Sequence, residues 1–231
     1  MCGRFSLTVP AATLAESFQL DALPEWMPRY NIAPTQTVAA IAMPPARSPN
    51  VRSPNIHLPH VRLLRWGLVP SWAKDLTIGA KLINARAETV AEKPSFRTAF
   101  KQRRCLILAD GFYEWQRLDR KTKQPYYFQL ASQQPFAFAG LWERWQGDDD
   151  VVETCTILTT EANELLQPVH DRMPVILAPE SYEQWLAPTT AAETLQRLLH
   201  PYDADGMKGY PVSTTVNSPV HDSPECVAPQ S

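Results

Sequence analysis

The sequence predicts an α+β fold, a single domain with a central antiparallel β-sheet or barrel-like core flanked by helices. Three observations carry this. Between residues 105 and 158, five short β-type runs follow one another at the spacing of an antiparallel sandwich or barrel. Apolar residues recur at helical spacing near the start of the chain and again beyond Pro179. No repeat or internal linker divides the 231 residues, a length that can bury one sizeable core.

Taken in order, residues 10–20 place Ala11, Leu14 and Phe18 on one helical face, with Thr8 as a candidate cap, which predicts a surface helix. Residues 37–43 and 61–66 read as strands. Between them, residues 44–60 hold five prolines, two arginines and two histidines, a loop with no packed core of its own. His57 and His60 have no further ligand nearby, so a solvated loop outweighs a metal site there. Trp66-Gly67 opens a turn through Pro70, Ser71 and Trp72. Residues 85–104 read as helix in two pieces broken at Pro94.

The five β-type runs are 105–109, 112–117, 125–130, 136–141 and 151–158. Residues 161–166 read as a short helix ahead of His170, 174–177 as a strand, and 179–186 and 190–199 as helices. The domain is expected to span 1–216, with 217–231 as a disordered tail.

Composition narrows the function. The chain is 44% hydrophobic and 20% charged with a formal net charge of -2, and no apolar run approaches the roughly 20 residues that span a bilayer. Arg4, Ser6, Thr8 and Pro10 interrupt any signal-peptide centre, so the expected location is cytoplasmic, with the nucleoid if the source is bacterial. Residues 1–110 carry 14 basic and 7 acidic side chains while 111–231 carry 8 and 17, so a near-neutral total can hide a basic face. Prolines outnumber glycines, 22 to 8, which stiffens the turns.

The four cysteines show no C-x-x-C spacing, which argues against a zinc ribbon, a redox pair or a disulfide scaffold; Cys105 and Cys155 read as buried packing. G-x-G-x-x-G, Walker, G-x-S-x-G, H-E-x-x-H and nucleobase-deaminase patterns are all absent. Chemistry without a cofactor or metal is therefore expected.

Cys2 supplies one. Removal of Met1 would place an α-amine and a thiol on the same residue, with reference pKa values of about 7.7–8.0 and about 8.5. An aldehyde meeting this 1,2-aminothiol forms a Schiff base with the amine, and the thiol then closes a five-membered thiazolidine. The bland alternative is that Cys2 is merely the residue after the initiator.

Six blocks weigh against that alternative. Met1-Cys2-Gly3-Arg4-Phe5, Arg29-Tyr30-Asn31-Ile32-Ala33-Pro34, Trp66-Gly67-Leu68-Val69-Pro70-Ser71-Trp72, Ile83-Asn84-Ala85-Arg86-Ala87-Glu88-Thr89, Ala109-Asp110-Gly111-Phe112-Tyr113-Glu114-Trp115 and His170-Asp171-Arg172-Met173-Pro174 occur in this order. Together the chain resembles the SRAP (SOS response-associated peptidase) family of abasic-site processing proteins over most of residues 1–187. The 44–60 loop and the last dozen residues do not match.

The resemblance implies a sensor of abasic sites in single-stranded DNA, with Cys2 as covalent nucleophile, Asn84 orienting the N-terminus or sugar, Glu114 in acid/base work and His170 assisting ring opening and release. On the residues alone, Asn84 reads equally as a cap for a following helix, Glu114 as an exposed strand residue and His170 as a helix-end cap. Arg4, Arg86 and Arg172 each flank a proposed chemical residue and would hold phosphates. Trp72, Trp115 and Pro34 would stack exposed bases, and Thr159 falls near the site by the same resemblance.

The expected partner is single-stranded DNA containing abasic sites, bound by a monomer with no membrane involved. Two other readings stay open: a thiol peptidase using Cys2, limited to removing Met1, and a non-covalent binder of single-stranded DNA in which Cys2 is inert.

Overall fold

Five strands of this chain close into a ring. The computed structural model describes residues 2–20, 27–43, 60–147 and 150–230. In chain order the elements are β1 (Arg4–Leu7), α1 (Ala11–Ser17), β2 (Arg29–Ile32), β3 (Thr37–Ala42), β4 (His60–Trp66), β5 (Asn84–Arg86), α2 (Arg97–Gln102), β6 (Arg104–Ala109), β7 (Gly111–Arg117), β8 (Lys123–Leu130), β9 (Phe136–Gln146), β10 (Val151–Glu161), β11 (Arg172–Pro174), β12 (Ile176–Leu177), α3 (Tyr182–Leu186), α4 (Ala192–Arg197) and β13 (Met207–Pro211).

The larger sheet runs β11-β10-β4-β3-β6-β9-β12, and β9 also pairs with β10, which closes β10, β4, β3, β6 and β9 into a barrel-like ring. All its pairings are antiparallel except those of β10 with β4 and with β5. The smaller sheet is antiparallel, in the order β13-β8-β7-β1-β2. The α+β architecture with an antiparallel, barrel-like core is the one the strand spacing predicts.

The two sheets meet through aromatic side chains. Phe5 of β1 packs edge-on against Trp66 and Phe138, with ring centroids 5.1 and 5.7 Å apart, and Phe112 of β7 reaches the same Phe138 at 6.1 Å. All four are buried, and each fully buried aromatic contributes about 2–3 kcal/mol from area alone. This packing brings β1, and so the residues at the chain's start, onto the barrel wall.

Close approach of neighbouring atoms favours glycine at two places. A Cβ on Gly140 of β9 would stand 2.8 Å from Ile107 Cδ1 and 2.9 Å from Cys105 Sγ. Gly67 has φ +123, and a Cβ there would lie 2.6 Å from the Gly79 carbonyl oxygen. That contact folds the segment after β4 back toward β5.

Asp110, in the turn between β6 and β7, anchors β1 from the other side. Its carboxylate accepts from Ser6 Oγ (2.6 Å), Thr8 Oγ1 (2.7 Å), the Val9 N–H (3.1 Å) and the Thr8 N–H.

Several expectations need correction. Residues 85–104 are helical only over α2; β5 instead pairs with β10, a long-range partner that periodicity cannot reveal. Residues 161–166 end β10 and enter a turn, where the Asn163 side chain accepts from the Leu166 N–H at 3.1 Å and so competes with a helix. The strands β1, β2 and β13 were not legible as strands.

The segment after residue 216 is ordered rather than disordered. Cys226 is buried with Tyr113, Tyr127, Val212 and Val216, and Val212 bridges Pro229. Asn31 Nδ2 donates to the carbonyls of Val216 (3.1 Å), Ser218 (3.1 Å) and His221 (2.7 Å), while the Asp222 carboxylate takes the Arg29 guanidinium and the N–H groups of Tyr30 and Asn31. The tail's partners sit nearly 200 positions away, so its local composition was misleading. His57 and most of the 44–60 loop lie outside the described residues. Among the described residues, no helix is long and apolar enough to cross a membrane.

Candidate active site

Cys2 lies two residues before the start of β1 and is fully buried. Its Sγ is 3.7 Å from the Arg4 carbonyl oxygen. Burial pushes the thiol well above its usual range, and the nearby Glu114 carboxylate pushes in the same direction. The thiol therefore rests protonated.

The parallel pairing of β5 with β10 sets Asn84 opposite Ile157 and Arg86 opposite Thr159. From there Asn84 Nδ2 donates to the Cys2 carbonyl at 2.8 Å. Asn84 Oδ1 is buried with no hydrogen-bond partner among the described residues, an acceptor held ready beside the chain's start. Asn84 sits in a strand and caps no helix, so the capping alternative fails on geometry.

Glu114 reaches the same place from β7. The β1–β7 register pairs Arg4 with Tyr113, and its continuation sets Glu114 opposite Gly3, next to Cys2. Glu114 is 2% exposed, which removes the exposed-strand alternative. Burial raises its carboxyl above the usual carboxylate range, while the positive amino terminus and the His170 imidazole oppose that rise. A carboxyl so placed can both give and take a proton.

His170 is positioned by a turn: its N–H donates to the Leu166 carbonyl at 2.9 Å. Its Nδ1 lies 3.0 Å from the Arg172 N–H and 2.9 Å from Asp171 Oδ1. These contacts require opposite protonation of Nδ1. The Asp171 side chain is 87% exposed, so its contact with the ring is screened by solvent. The structure thus brings Cys2, Asn84 and Glu114 together, with His170 in electrostatic reach of Glu114.

The residues assigned to DNA fall into different environments. Arg4 is half-buried and donates to Asn31 Oδ1 (2.8 Å) and to the carbonyls of Val216 (2.7 Å) and Asn217 (3.0 Å), so three of its five donors serve the scaffold. Arg86 is exposed and makes no side-chain hydrogen bond to a described residue. Trp72 is 60% exposed, Pro34 is partly exposed, and Trp115 is partly exposed with Nε1 donating to Asn217 Oδ1 at 2.7 Å.

Arg172 and Thr159 depart from the sequence reading. Arg172 grips Glu88 with both Nη atoms (2.6 and 3.0 Å) and donates to the Thr159 carbonyl at 2.6 Å. A carboxylate occupies the fork where a phosphate was expected, and the Arg172 guanidinium holds the Glu88 carboxyl below its usual range. Thr159 is fully buried, its Oγ1 3.5 Å from the Ala85 carbonyl. It supports β5 rather than facing a ligand.

Sequence reasoning missed Asn31, Asn217 and Glu88. Asn31 and Asn217 hold Arg4 and Trp115 in place, and Glu88 holds Arg172. Asn31 and Glu88 both lie within the six family-like sequence blocks, but their partners are set only once the chain has folded.

A fold of this kind with a buried cysteine at position 2 beside an amide and a carboxyl defines a class. The sequence model described as SOS response associated peptidase (SRAP) matches residues 1–219, and the chain belongs to that family. It is 50% identical to the abasic site processing protein YoqW of Bacillus subtilis, over 98% of this chain and 99% of that one. It is 32% identical to the abasic site processing protein HMCES of Gallus gallus, over 99% of this chain and 78% of that one. Among solved structures, a protein from Bacteroides thetaiotaomicron has the same fold, with a TM-score of 0.81, 28% identity, and coverage of 99% of this chain and 100% of that one.

Proposed function

We propose that this chain processes abasic sites by forming a covalent thiazolidine between Cys2, after loss of Met1, and the ring-opened deoxyribose of an abasic site in single-stranded DNA. The relatives' names support abasic-site processing in general. The observation that carries the covalent step is the 2.8 Å bond from Asn84 Nδ2 to the Cys2 carbonyl, which fixes the aminothiol beside the buried Glu114 carboxyl.

The sequence of steps follows from these groups. His170 exchanges a proton with the sugar as the ring opens to its aldehyde. The Cys2 amine adds to the aldehyde carbon, Glu114 donates a proton to the departing hydroxyl, and one water leaves as the imine forms. Cys2 Sγ then bonds to the imine carbon, and the thiol proton passes through Glu114 to the nitrogen, closing the ring with no further loss. Release runs these steps backward.

The raised thiol pKa favours this order, with the amine attacking first, over the thiol peptidase reading, which needs a thiolate. A protein acting on DNA in this way works where DNA is, in the cytoplasm and with the nucleoid if the source is bacterial, and serves the response to DNA damage.

Intact mass spectrometry tests the proposal. Protein lacking Met1, incubated with a single-stranded abasic oligonucleotide, is expected to gain the oligonucleotide's mass less one water, with the bond mapped to Cys2. The covalent species is expected to be absent with intact DNA, with Cys2→Ala, or where Met1 is retained. A bond mapped elsewhere, or a gain with Met1 still attached, would falsify the scheme. Duplex DNA with the same lesion is expected to react more slowly.

A further inference from the structure

The turn joining β7 to β8 carries positive charge that the lesion chemistry leaves unused. Arg117, Arg120, Lys121 and Lys123 fall within seven consecutive positions against Asp119 alone, in a half of the chain with twice as many acidic as basic side chains. Asp119 does not neutralise them by ion pairing. Its carboxylate accepts the N–H groups of Lys121 and Thr122, both at 2.7 Å, and so shapes the turn. Among the described residues none of the four cations enters an ion pair, and all four are exposed.

Lys121 and Lys123 line a cleft of about 330 Å³ together with Trp115 and Asn217. Asn217 joins this cleft to the start of the chain: its side chain accepts from Trp115 Nε1 and its carbonyl accepts from Arg4 Nη2. Strand geometry gives the cleft a direction. Arg4 pairs with Tyr113, and Tyr113, Trp115 and Arg117 share one face of β7, opposite to Glu114. Arg4 and the cations of the turn therefore lie toward the same face, on the order of 13 Å apart along β7, with the partly exposed Trp115 between them. An aromatic ring with cations beyond it matches a nucleic-acid strand, which offers a flat base and then a phosphate.

We propose that this cleft is a binding subsite for the DNA strand beyond the lesion, with Lys121 and Lys123 holding backbone phosphates past a base stacked on Trp115. The inference rests on the reading that the chain acts on a DNA strand at Cys2. It assigns the cleft to one side of the lesion only, because the turn lies in a single direction from Arg4 along β7.

The test uses the full chain and single-stranded oligonucleotides containing a non-reactive abasic analogue, with nucleotides on both sides of it, only on its 5′ side, or only on its 3′ side. Fluorescence anisotropy of K121A/K123A is expected to show roughly tenfold weaker binding to the two-sided oligonucleotide and to one of the one-sided pair, with no loss on the other. The log–log salt slope is expected to fall by about 1.4, or about 0.7 per phosphate on a single strand. K121R/K123R is expected to restore both readouts. Equal binding by the alanine variant and the native protein, or equal loss on both one-sided oligonucleotides, overturns the inference.

The covalent reading is scored separately, from the native protein and an authentic abasic oligonucleotide. Absence of a crosslink with side-dependent binding retained would sink that reading and leave the subsite standing. A crosslink without any lysine effect would do the reverse.

Discussion

In the proposed scheme Asn84 and Glu114 divide the work around Cys2 into holding and proton transfer. Asn84→Ala removes the bond to the Cys2 carbonyl without touching the thiol, and is expected to slow crosslinking roughly 10- to 100-fold while affinity for the non-reactive analogue stays within about twofold. Single-turnover gels set against anisotropy would check this split. Glu114→Gln keeps the shape and removes the proton carrier, so a rate loss of roughly 10²- to 10⁴-fold is expected.

The same residue has a signature in stability. Because burial raises the folded-state pKa of Glu114, the folded chain holds that proton more tightly than the unfolded chain does. The contribution is fully present below the unfolded carboxyl pKa of about 4.3 and is lost as pH rises through the folded value. Glu114→Gln is therefore expected to melt at higher temperature than the native protein near neutral pH, with the gain shrinking toward pH 4. A Tm difference that grows on acidification would contradict the burial assignment. At this scale the sequence named Cys2, Asn84 and Glu114, which the fold brings together, because reactive types stood in recognisable blocks. It misdirected for Thr159 and Arg172, whose burial and Glu88 partner depend on β10 and β11 being side by side.

Secondary-structure elements were legible where their own residues set them. The apolar run of β6 and the long β9 and β10 announced themselves, whereas β1, β2 and β13 are short and draw their stability from neighbours distant in sequence. The turn after β4 shows how a single position controls an element. Gly67→Ala adds a Cβ within 2.6 Å of the Gly79 carbonyl oxygen at a φ that L side chains rarely adopt, and a loss of about 3 kcal/mol or more is expected by urea unfolding. Since that turn leads toward Asn84, crosslinking by any folded fraction should slow as well.

For the molecule as a whole, the first and last segments of the chain fasten to each other. Arg4 donates to the carbonyls of Val216 and Asn217, Asn31 Nδ2 donates to the His221 carbonyl, and Asp222 of the closing segment accepts from the N–H groups of Tyr30 and Asn31. Deleting residues 218–231 is expected to cost about 2–4 kcal/mol, because the backbone N–H groups of Tyr30 and Asn31 lose their charged acceptor and the Tyr113–Tyr127 cluster is uncovered. It should also loosen Trp115, with a red shift in tryptophan emission and weaker DNA binding. Local composition reads this segment as a tail, yet it shapes the surface proposed to meet DNA. Its order comes from contacts that exist only after the sheets have formed.

The Asp222 carboxylate also has a colloidal consequence. It occupies two N–H groups along β2, an outer strand of the smaller sheet, while the larger sheet is closed over most of its girth and ends in strands of two and three residues. Along β2 less backbone is left for another copy to zip onto, so an Asp222→Ala preparation should turn turbid on storage sooner than the native protein, while most of its molecules are still native.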